Sequence, residues 1–272
     1  MSIDTRASDP ARAERLGFYL LKAVHKAMRE HHLLADGDRV LVAVSGGKDS
    51  LTLLDLLHRR RRTSRESYVL AAGLVQSDYH CGRAVPADWL ARWCSERGIP
   101  FAVEEIHLAD ELRETRANPC FRCSRHRRRA LFEMAQRLDC GTVALGHHAD
   151  DLAETALMNL IYSATFQGIE VRREFFGKLT VIRPLAYVEE RDISAFARAS
   201  GYPLIGEPCP AGAHTKRSVA RELLRRAESE CHGARRNILA ALGRASARPG
   251  PAATDQPAPC ARTADEEECE RD

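Results

Sequence analysis

Val40-Leu41-Val42-Ala43-Val44-Ser45-Gly46-Gly47-Lys48-Asp49-Ser50 is the stretch on which the fold turns. A short, mostly β-branched run gives way to a glycine turn, and a Leu-rich segment from Ser50 to about Arg60 follows. That run, Arg39 to Val44, predicts a strand buried on both faces that feeds a helix. Two adjacent glycines at the junction let the backbone approach a ligand closely. The orphan N–H groups and the dipole of a helix start favour an anion, and Lys48 adds a cation. The loop is not a Walker A sequence. That pattern wants glycine five residues before the Gly47-Lys48 pair, where this chain has Val42.

Outward from this point strands and helices alternate. Residues 11–34 read as an amphipathic helix, with Leu16, Tyr19, Leu20, Ala23, Val24 and Ala27 at helical spacing and Asp36-Gly37-Asp38 as the turn that ends it. Strands are expected at Tyr68–Val75, Phe101–Ile106, Thr142–Leu145, Leu179–Ile182 and Tyr202–Ile205. Helices are expected at Pro86–Arg97, Cys123–Leu138, Asp150–Tyr162, Val188–Ala199 and through 215–242, with 163–178 as a connection. This alternation implies βαβ units: an α/β, Rossmann-like parallel sheet with helices on both faces. In such sheets ligands bind beyond the carboxyl ends of the strands. The expected organisation is an N-terminal helical segment (1–36), one catalytic domain (37–242) and a Pro/Ala-rich, then acidic, disordered tail (243–272).

Of 272 residues, 44% are hydrophobic and 29% charged, which excludes a fibrous or largely disordered chain. The apolar runs fall far short of the roughly 18–20 residues of a membrane span, and the first 15 residues carry three acids and no apolar stretch. A cytoplasmic protein without a membrane role is therefore expected. The net charge of +3 hides an asymmetry: without the tail, the chain carries 37 basic and 31 acidic residues. Runs such as Arg59-Arg60-Arg61-Arg62 and Arg125-His126-Arg127-Arg128-Arg129 suggest either a polyanionic partner or a solvated face.

Nine cysteines with no secretory signal favour free thiols or metal ligands over a disulfide framework. Cys120 and Cys123 stand three apart at an expected helix start, beside several arginines, where the thiolate form is favoured. That spacing alone leaves zinc, a redox dithiol, an iron–sulfur cluster and two unlinked thiols open. Cys209 lies in Gly206-Glu207-Pro208-Cys209-Pro210, a loop after an expected strand. Cys81, Cys94, Cys140 and Cys231 lack ligand spacing, and Cys260 and Cys269 lie in the tail. Gly146-His147-His148-Ala149-Asp150-Asp151 ends one strand and opens a helix. Its carboxylates could hold Mg²⁺ or move a proton, and Asp150 also suits a plain helix cap.

The Ser45–Ser50 string resembles the signature of the PP-loop ATP pyrophosphatases, which cleave ATP between the α and β phosphates and adenylate a carbonyl oxygen. That resemblance implies that Gly46, Gly47 and Ser50, within the loop opened by Ser45, hold the pyrophosphate. Lys48 would offset its charge and Asp49 would help hold Mg²⁺. Together with Cys120-Phe121-Arg122-Cys123-Ser124-Arg125, the Leu145–Asp151 string, Ile182-Arg183-Pro184-Leu185 and the Cys209 loop, the chain resembles the tRNA 2-thiocytidine synthetases over roughly residues 15–240.

The resemblance implies a 4Fe–4S cluster on Cys120, Cys123 and Cys209, whose open iron can carry sulfide. It implies a nucleotide-site role for Gly146, His147 and Asp150, with Asp151 beside them, and a catalytic role for Arg127. The implied reaction is ATP-dependent 2-thiolation of an anticodon-loop cytidine, position 32, in tRNA. A sulfur-donating desulfurase system would be a further partner and a homodimer one assembly open to it. Arginines of the 125–129 run and Lys216, Arg217, Arg221, Arg225 and Arg226 would track RNA phosphates.

The chain departs from the family pattern at Gly73-Leu74-Val75-Gln76, which lacks the usual carboxylate, and at Gly206, where relatives have a cysteine. Two other functions remain open on sequence: sulfur chemistry on a free nucleobase or small molecule, and a non-enzymatic iron or redox sensor.

Overall fold

The computed structural model describes residues 8–78, 84–108, 119–175, 177–204 and 215–246. Its elements run α1 (Pro10–Glu30), β1 (Asp38–Ala43), α2 (Lys48–Arg60), β2 (Tyr68–Ser77), α3 (Ala87–Ser95), β3 (Phe101–Ile106), α4 (Pro119–Arg137) and β4 (Thr142–Ala144). They continue α5 (Ala149–Ser163), β5 (Arg172–Phe175), β6 (Leu179–Ile182), α6 (Glu190–Ser200), α7 (Lys216–Glu230) and α8 (Ala234–Ser246). No helix among the described residues is long and apolar enough to cross a membrane.

The chain divides into two compact units. The first comprises residues 1–148 and 171–208. It holds a six-stranded sheet in the order β3-β2-β1-β4-β6-β5, parallel except for β5, which pairs antiparallel with β6. Alternation of side chains sorts the core onto two faces. Val40, Val42, Leu70, Ala72, Ala144 and Ile182 face one cluster, packed by α1, α2, α3 and α6. Leu41, Ala71, Val75, Val143 and Val181 face the other, with Ala130, Met134 and Ala135 of α4. The parallel sheet with helices on both faces is thus present. Val75, at the strand end where the family's carboxylate is missing, serves this second cluster.

Local chemistry explains the helix ends. The Asp9 carboxylate accepts from the backbone N–H of Arg12 and Pro10 follows at the first position, so α1 starts there. The helix stops at Glu30, short of the expected residue 34. Tyr19, expected on its apolar stripe, is 63% exposed, because the buried stripe is Ala13, Gly17, Leu20, Val24 and Ala27, one step around the helix.

Three further expectations need correction. The connection 163–178 contains strand β5, an exposed edge strand of sequence Arg-Arg-Glu-Phe that shows no apolar run. Tyr202–Leu204 form no strand, and Ile205 lies outside the described residues. Tyr202 is instead buried, its hydroxyl donating to Asp55 at 3.1 Å. The helical stretch expected through 215–242 is two helices, broken at Cys231–Gly233, and the second runs into the expected tail as far as Ser246. Residues 247–272 lie outside the described residues.

The second unit comprises residues 149–170 and 209–272. Within it α5 packs with α7 and α8. α7 opens on a capping box in which Thr215 and Ser218 satisfy each other's backbone N–H groups. Leu152, Ala153, Ala156, Ala220 and Leu224 are buried.

Candidate functional site

The strand order reverses between β1 and β4, since β1 leads outward to β2 while β4 leads to β6. A crevice beyond the carboxyl ends of the strands opens at such a switch point. The Ser45-Gly46-Gly47 turn follows β1 there, and Leu145-Gly146-His147-His148 follows β4.

Gly46 adopts φ +80°, a left-handed backbone that side chains rarely take, and a Cβ there would lie 2.8 Å from Cβ of Ala84. Its carbonyl accepts from the Val85 N–H at 2.9 Å. Gly47 occupies the cap position of α2 with no side chain capping the helix start. The loop is closed by Ser50, whose Oγ accepts from the Ser45 N–H at 3.1 Å and donates to the Gly47 carbonyl at 3.0 Å. Gly146 rests directly on the same turn. A Cβ on it would meet the Ser50 nitrogen at 3.1 Å and the Asp49 carbonyl carbon at 3.2 Å. The result is a cradle of backbone around a helix N-terminus, suited to phosphate oxygens.

Lys48 is half-buried at the front of this cradle. Its Nζ donates to Asp49 Oδ1 at 2.8 Å and to Glu190 Oε1 at 2.9 Å. Burial works against the ammonium charge, but the bonds and the attraction from these two carboxylates outweigh it and hold its pKa above the ordinary lysine value. His148, buried, sets its Nε2 3.9 Å from the same Asp49 oxygen.

Arg183 is nine-tenths buried and donates from Nε to His147 Nδ1 at 3.2 Å. An arginine can only donate, so Nδ1 carries no proton and a neutral His147 carries it on Nε2. This geometry gives Arg183 a positioning role at the loop after β4. The sequence alone does not reveal Glu190 and Arg183 as partners here. Each is far along the chain from the group it holds, and no local pattern signals the pairing.

Cys123 lies near the start of α4, 7% exposed, packed beside Leu108 and Ile106 as a free thiol. Arg127, one turn on, has a buried Nε with no hydrogen-bond partner among the described residues. The side chain of Cys120 and the whole of Cys209 lie outside the described residues, so the expected three-thiol set is represented by Cys123 alone. Among the described residues no group of three metal-ligating side chains lies together.

In the second unit, the acids at the start of α5 face arginines. Asp150 Oδ1 is 3.0 Å from Arg235 Nε, an ion pair without the alignment of a hydrogen bond. Asp151 accepts from Arg217 at 3.0 Å. Glu154, 2% exposed, accepts from Arg221 at 2.7 Å. Arg225 and Arg226 both pair with Glu222. Four of the basic residues expected to track RNA from α7 are thus engaged by carboxylates within their own unit.

The model of the PP-loop domain family matches residues 20–227. The chain is 39% identical over 232 residues to the tRNA-cytidine(32) 2-sulfurtransferase of Geobacter sulfurreducens, a match covering 83% of this chain and 89% of that protein. It is 36% identical to the protein of the same name from an Anaeromyxobacter species, covering 82% of this chain and 75% of that one. Its fold is similar to that of the U34-tRNA thiolase NcsA from Methanococcus maripaludis, solved with its [4Fe-4S] cluster. The TM-score there is 0.70 at 23% identity, over 88% of this chain and 81% of that one.

Proposed function

The chain belongs to the PP-loop family and, within it, to the tRNA-cytidine(32) 2-sulfurtransferases, and from that membership we propose that it uses ATP to replace the C2 oxygen of a tRNA anticodon-loop cytidine with sulfur. The observation that carries the reading is the phosphate cradle at the β1–β4 switch point, with Gly46 where a side chain would clash and Gly146 where one would press on the turn.

ATP binds with its β and γ phosphates on the N–H groups of Gly46, Gly47 and the first turn of α2, closed by Ser45 and Ser50. Lys48 offsets their charge, and Asp49 is the carboxylate that would hold Mg²⁺, a hard cation that prefers oxygen. His147, fixed by Arg183, would contact the nucleotide from the loop after β4. The C2 carbonyl oxygen attacks the α phosphorus, the α–β bridging bond breaks, and pyrophosphate leaves with its electron pair. Sulfide then adds at C2, and the original oxygen departs with AMP. The cradle's role is electrostatic preorganisation for charge that develops on the departing pyrophosphate.

Cys123 is a free thiol, the donor type that iron–sulfur clusters take. Cys120, Cys123 and Cys209 would hold the 4Fe–4S cluster, which when bound supplies sulfur beside the activated carbon. Arg127 would stabilise charge at the reacting centre. Asp150 and Asp151, which pair with Arg235 and Arg217, are further nucleotide-site residues on the family resemblance. The same reading takes sulfur from a desulfurase system in the cytoplasm, and sedimentation with and without tRNA tests for a homodimer.

The test is anaerobic reconstitution with iron and sulfide, ATP and tRNA from a strain lacking the modification, followed by nucleoside analysis. The expected product is 2-thiocytidine, with one AMP and one pyrophosphate per thiolation, lost in Cys120→Ala, Cys123→Ala and Cys209→Ala. Thiolation of free cytosine but not tRNA would instead establish the small-molecule reading. An iron–sulfur protein that cleaves no ATP would establish the sensor.

A further inference from the structure

One face of α4 carries Arg125, Arg128, Arg129, Phe132, Glu133 and Gln136, a spacing of three and four that forms a continuous stripe. Between this stripe and the β5–β6 hairpin lies a cleft of about 670 Å³. Phe132 and Phe175 are among its lining residues, their ring centroids 5.3 Å apart. Lys178, exposed in the hairpin turn, lines the cleft together with the arginines.

The charges in this cleft do not cancel. Its two carboxylates already have partners: Glu133 holds Arg129 at 2.9 Å, and Asp139 lies 3.6 Å from Arg39. Arg125, Arg128 and Lys178 have no ion pair among the described residues. Three uncompensated cations around one concave surface attract a polyanion more strongly than scattered surface charges do. The arginines of α7 offer a contrast, since Arg217, Arg221, Arg225 and Arg226 are each held by a carboxylate. The helix that presents the stripe carries Cys123 and Arg127 in its N-terminal half, where the stripe begins at Arg125, and Cys123 to Phe132 spans roughly 13 Å of helix rise. A chain of phosphates laid along the stripe would therefore lead to the end of α4 where Cys123 stands.

We propose that the cleft between α4 and the β5–β6 hairpin is the grip for the substrate RNA, taking the sugar-phosphate backbone beside the target loop on Arg125, Arg128 and Lys178. The inference rests on the tRNA-thiolating reading and names where that substrate is held. The contacts are to phosphate, so they fix position and affinity and carry no base sequence.

The experiment uses the full-length, cluster-reconstituted protein. One variant combines Arg125→Ala, Arg128→Ala and Lys178→Ala. A control of equal charge change combines Arg61→Ala, Arg62→Ala and Arg65→Ala, all exposed. Three lost phosphate contacts reduce the slope of log affinity against log salt by about 2–3, so wild type should lose roughly 40-fold more tRNA affinity than the cleft variant between 50 and 200 mM salt. The KM for tRNA should rise while kcat at saturating tRNA, iron content and melting temperature hold. The control should keep the wild-type slope.

A cleft variant with the wild-type KM and slope overturns the grip alone, provided the wild type thiolates. A control that loses as much also overturns it, by showing a net-charge effect. A variant that keeps its tRNA affinity but loses turnover only with a protein sulfur donor assigns the cleft to that donor, against RNA. Wild-type protein without affinity for tRNA overturns the functional reading and the grip together.

Discussion

Replacing Gly46 by alanine tests the phosphate cradle at its most constrained point. Two costs add. The backbone at φ +80° is left-handed, which costs a non-glycine residue roughly 1–2 kcal/mol. The new Cβ would lie 2.8 Å from Cβ of Ala84, a methyl that has no rotamer by which to move away. Such overpacking costs roughly 1–3 kcal/mol. The sum, roughly 2–5 kcal/mol, corresponds to a melting temperature lower by about 4–20 °C for a domain of this size.

Gly177→Ala is the matched control. It has φ +63° and nothing within 4 Å of the added atom, so it carries only the backbone cost. Differential scanning fluorimetry should place Gly46→Ala below Gly177→Ala. Pyrophosphate release from ATP should fall at least tenfold in the first and stay at the wild-type rate in the second. Relief of the clash would have to come from the turn itself, which is bonded to Val85, so relaxation and loss of the cradle go together. If both variants melt together and both cleave ATP normally, the loop does not hold phosphate and the reasoning fails.

Lys48→Met should keep the fold and raise the KM for ATP by tenfold or more, read by steady-state pyrophosphate release, because Asp49 and Glu190 would face the phosphates without their cation. Arg183→Ala removes a buried charged donor, a loss of roughly 1.5–3 kcal/mol, and frees the His147 ring. Its signature is a raised KM for ATP with partial recovery in Arg183→Lys, whereas a purely structural arginine would lower the melting temperature and leave KM alone. Burial pushes the Cys94 thiol up to about 11 against the opposing pull of Arg97, so the folded chain keeps a proton there that the unfolded chain gives up sooner. Its contribution to stability is full below about pH 9 and fades as pH rises towards 11. Iodoacetamide at pH 8 should therefore modify exposed Cys231 and spare Cys94, as peptide mapping would show.

The parts of this fold that were legible in the sequence are those where one short pattern suffices. β1 reads as a strand because Val40, Leu41 and Val42 are buried on both faces, and the glycines after it announce a turn into a helix. β5 escapes the same reading because an edge strand with one solvated face needs no apolar run, and its pairing with β6 comes from register alone. Tyr202 misleads in the opposite sense. An aromatic before Pro203-Leu204-Ile205 looks like a strand, yet its hydroxyl is drawn to Asp55 on α2, 147 residues away. The cradle's glycines were legible, while Glu190 on Lys48 and Arg183 on His147 were not, since those contacts exist only once α6 and the loop after β6 pack against the sheet.

Charge shows the same limit and points beyond it. Read along the chain, the arginines of α4 and α7 look alike, and the carboxylates that open α5 look like metal ligands. In space they differ by their partners. Asp150, Asp151 and Glu154 lie against Arg235, Arg217 and Arg221, an arrangement in which each ion pair satisfies charge that burial would otherwise penalise. Those arginines are occupied in holding α5 against α7 and α8. Among the described residues no comparable set of acids meets Arg125 and Arg128 on α4, and the two carboxylates that line the same cleft are held by Arg129 and Arg39. A basic residue with a carboxylate already on it must give up that partner before it can bind a phosphate, and one without must give up only water. The stripe that ends near Cys123 is for that reason the stronger electrostatic foothold for RNA, although the sequence writes more arginine into neither helix than a solvated surface could carry.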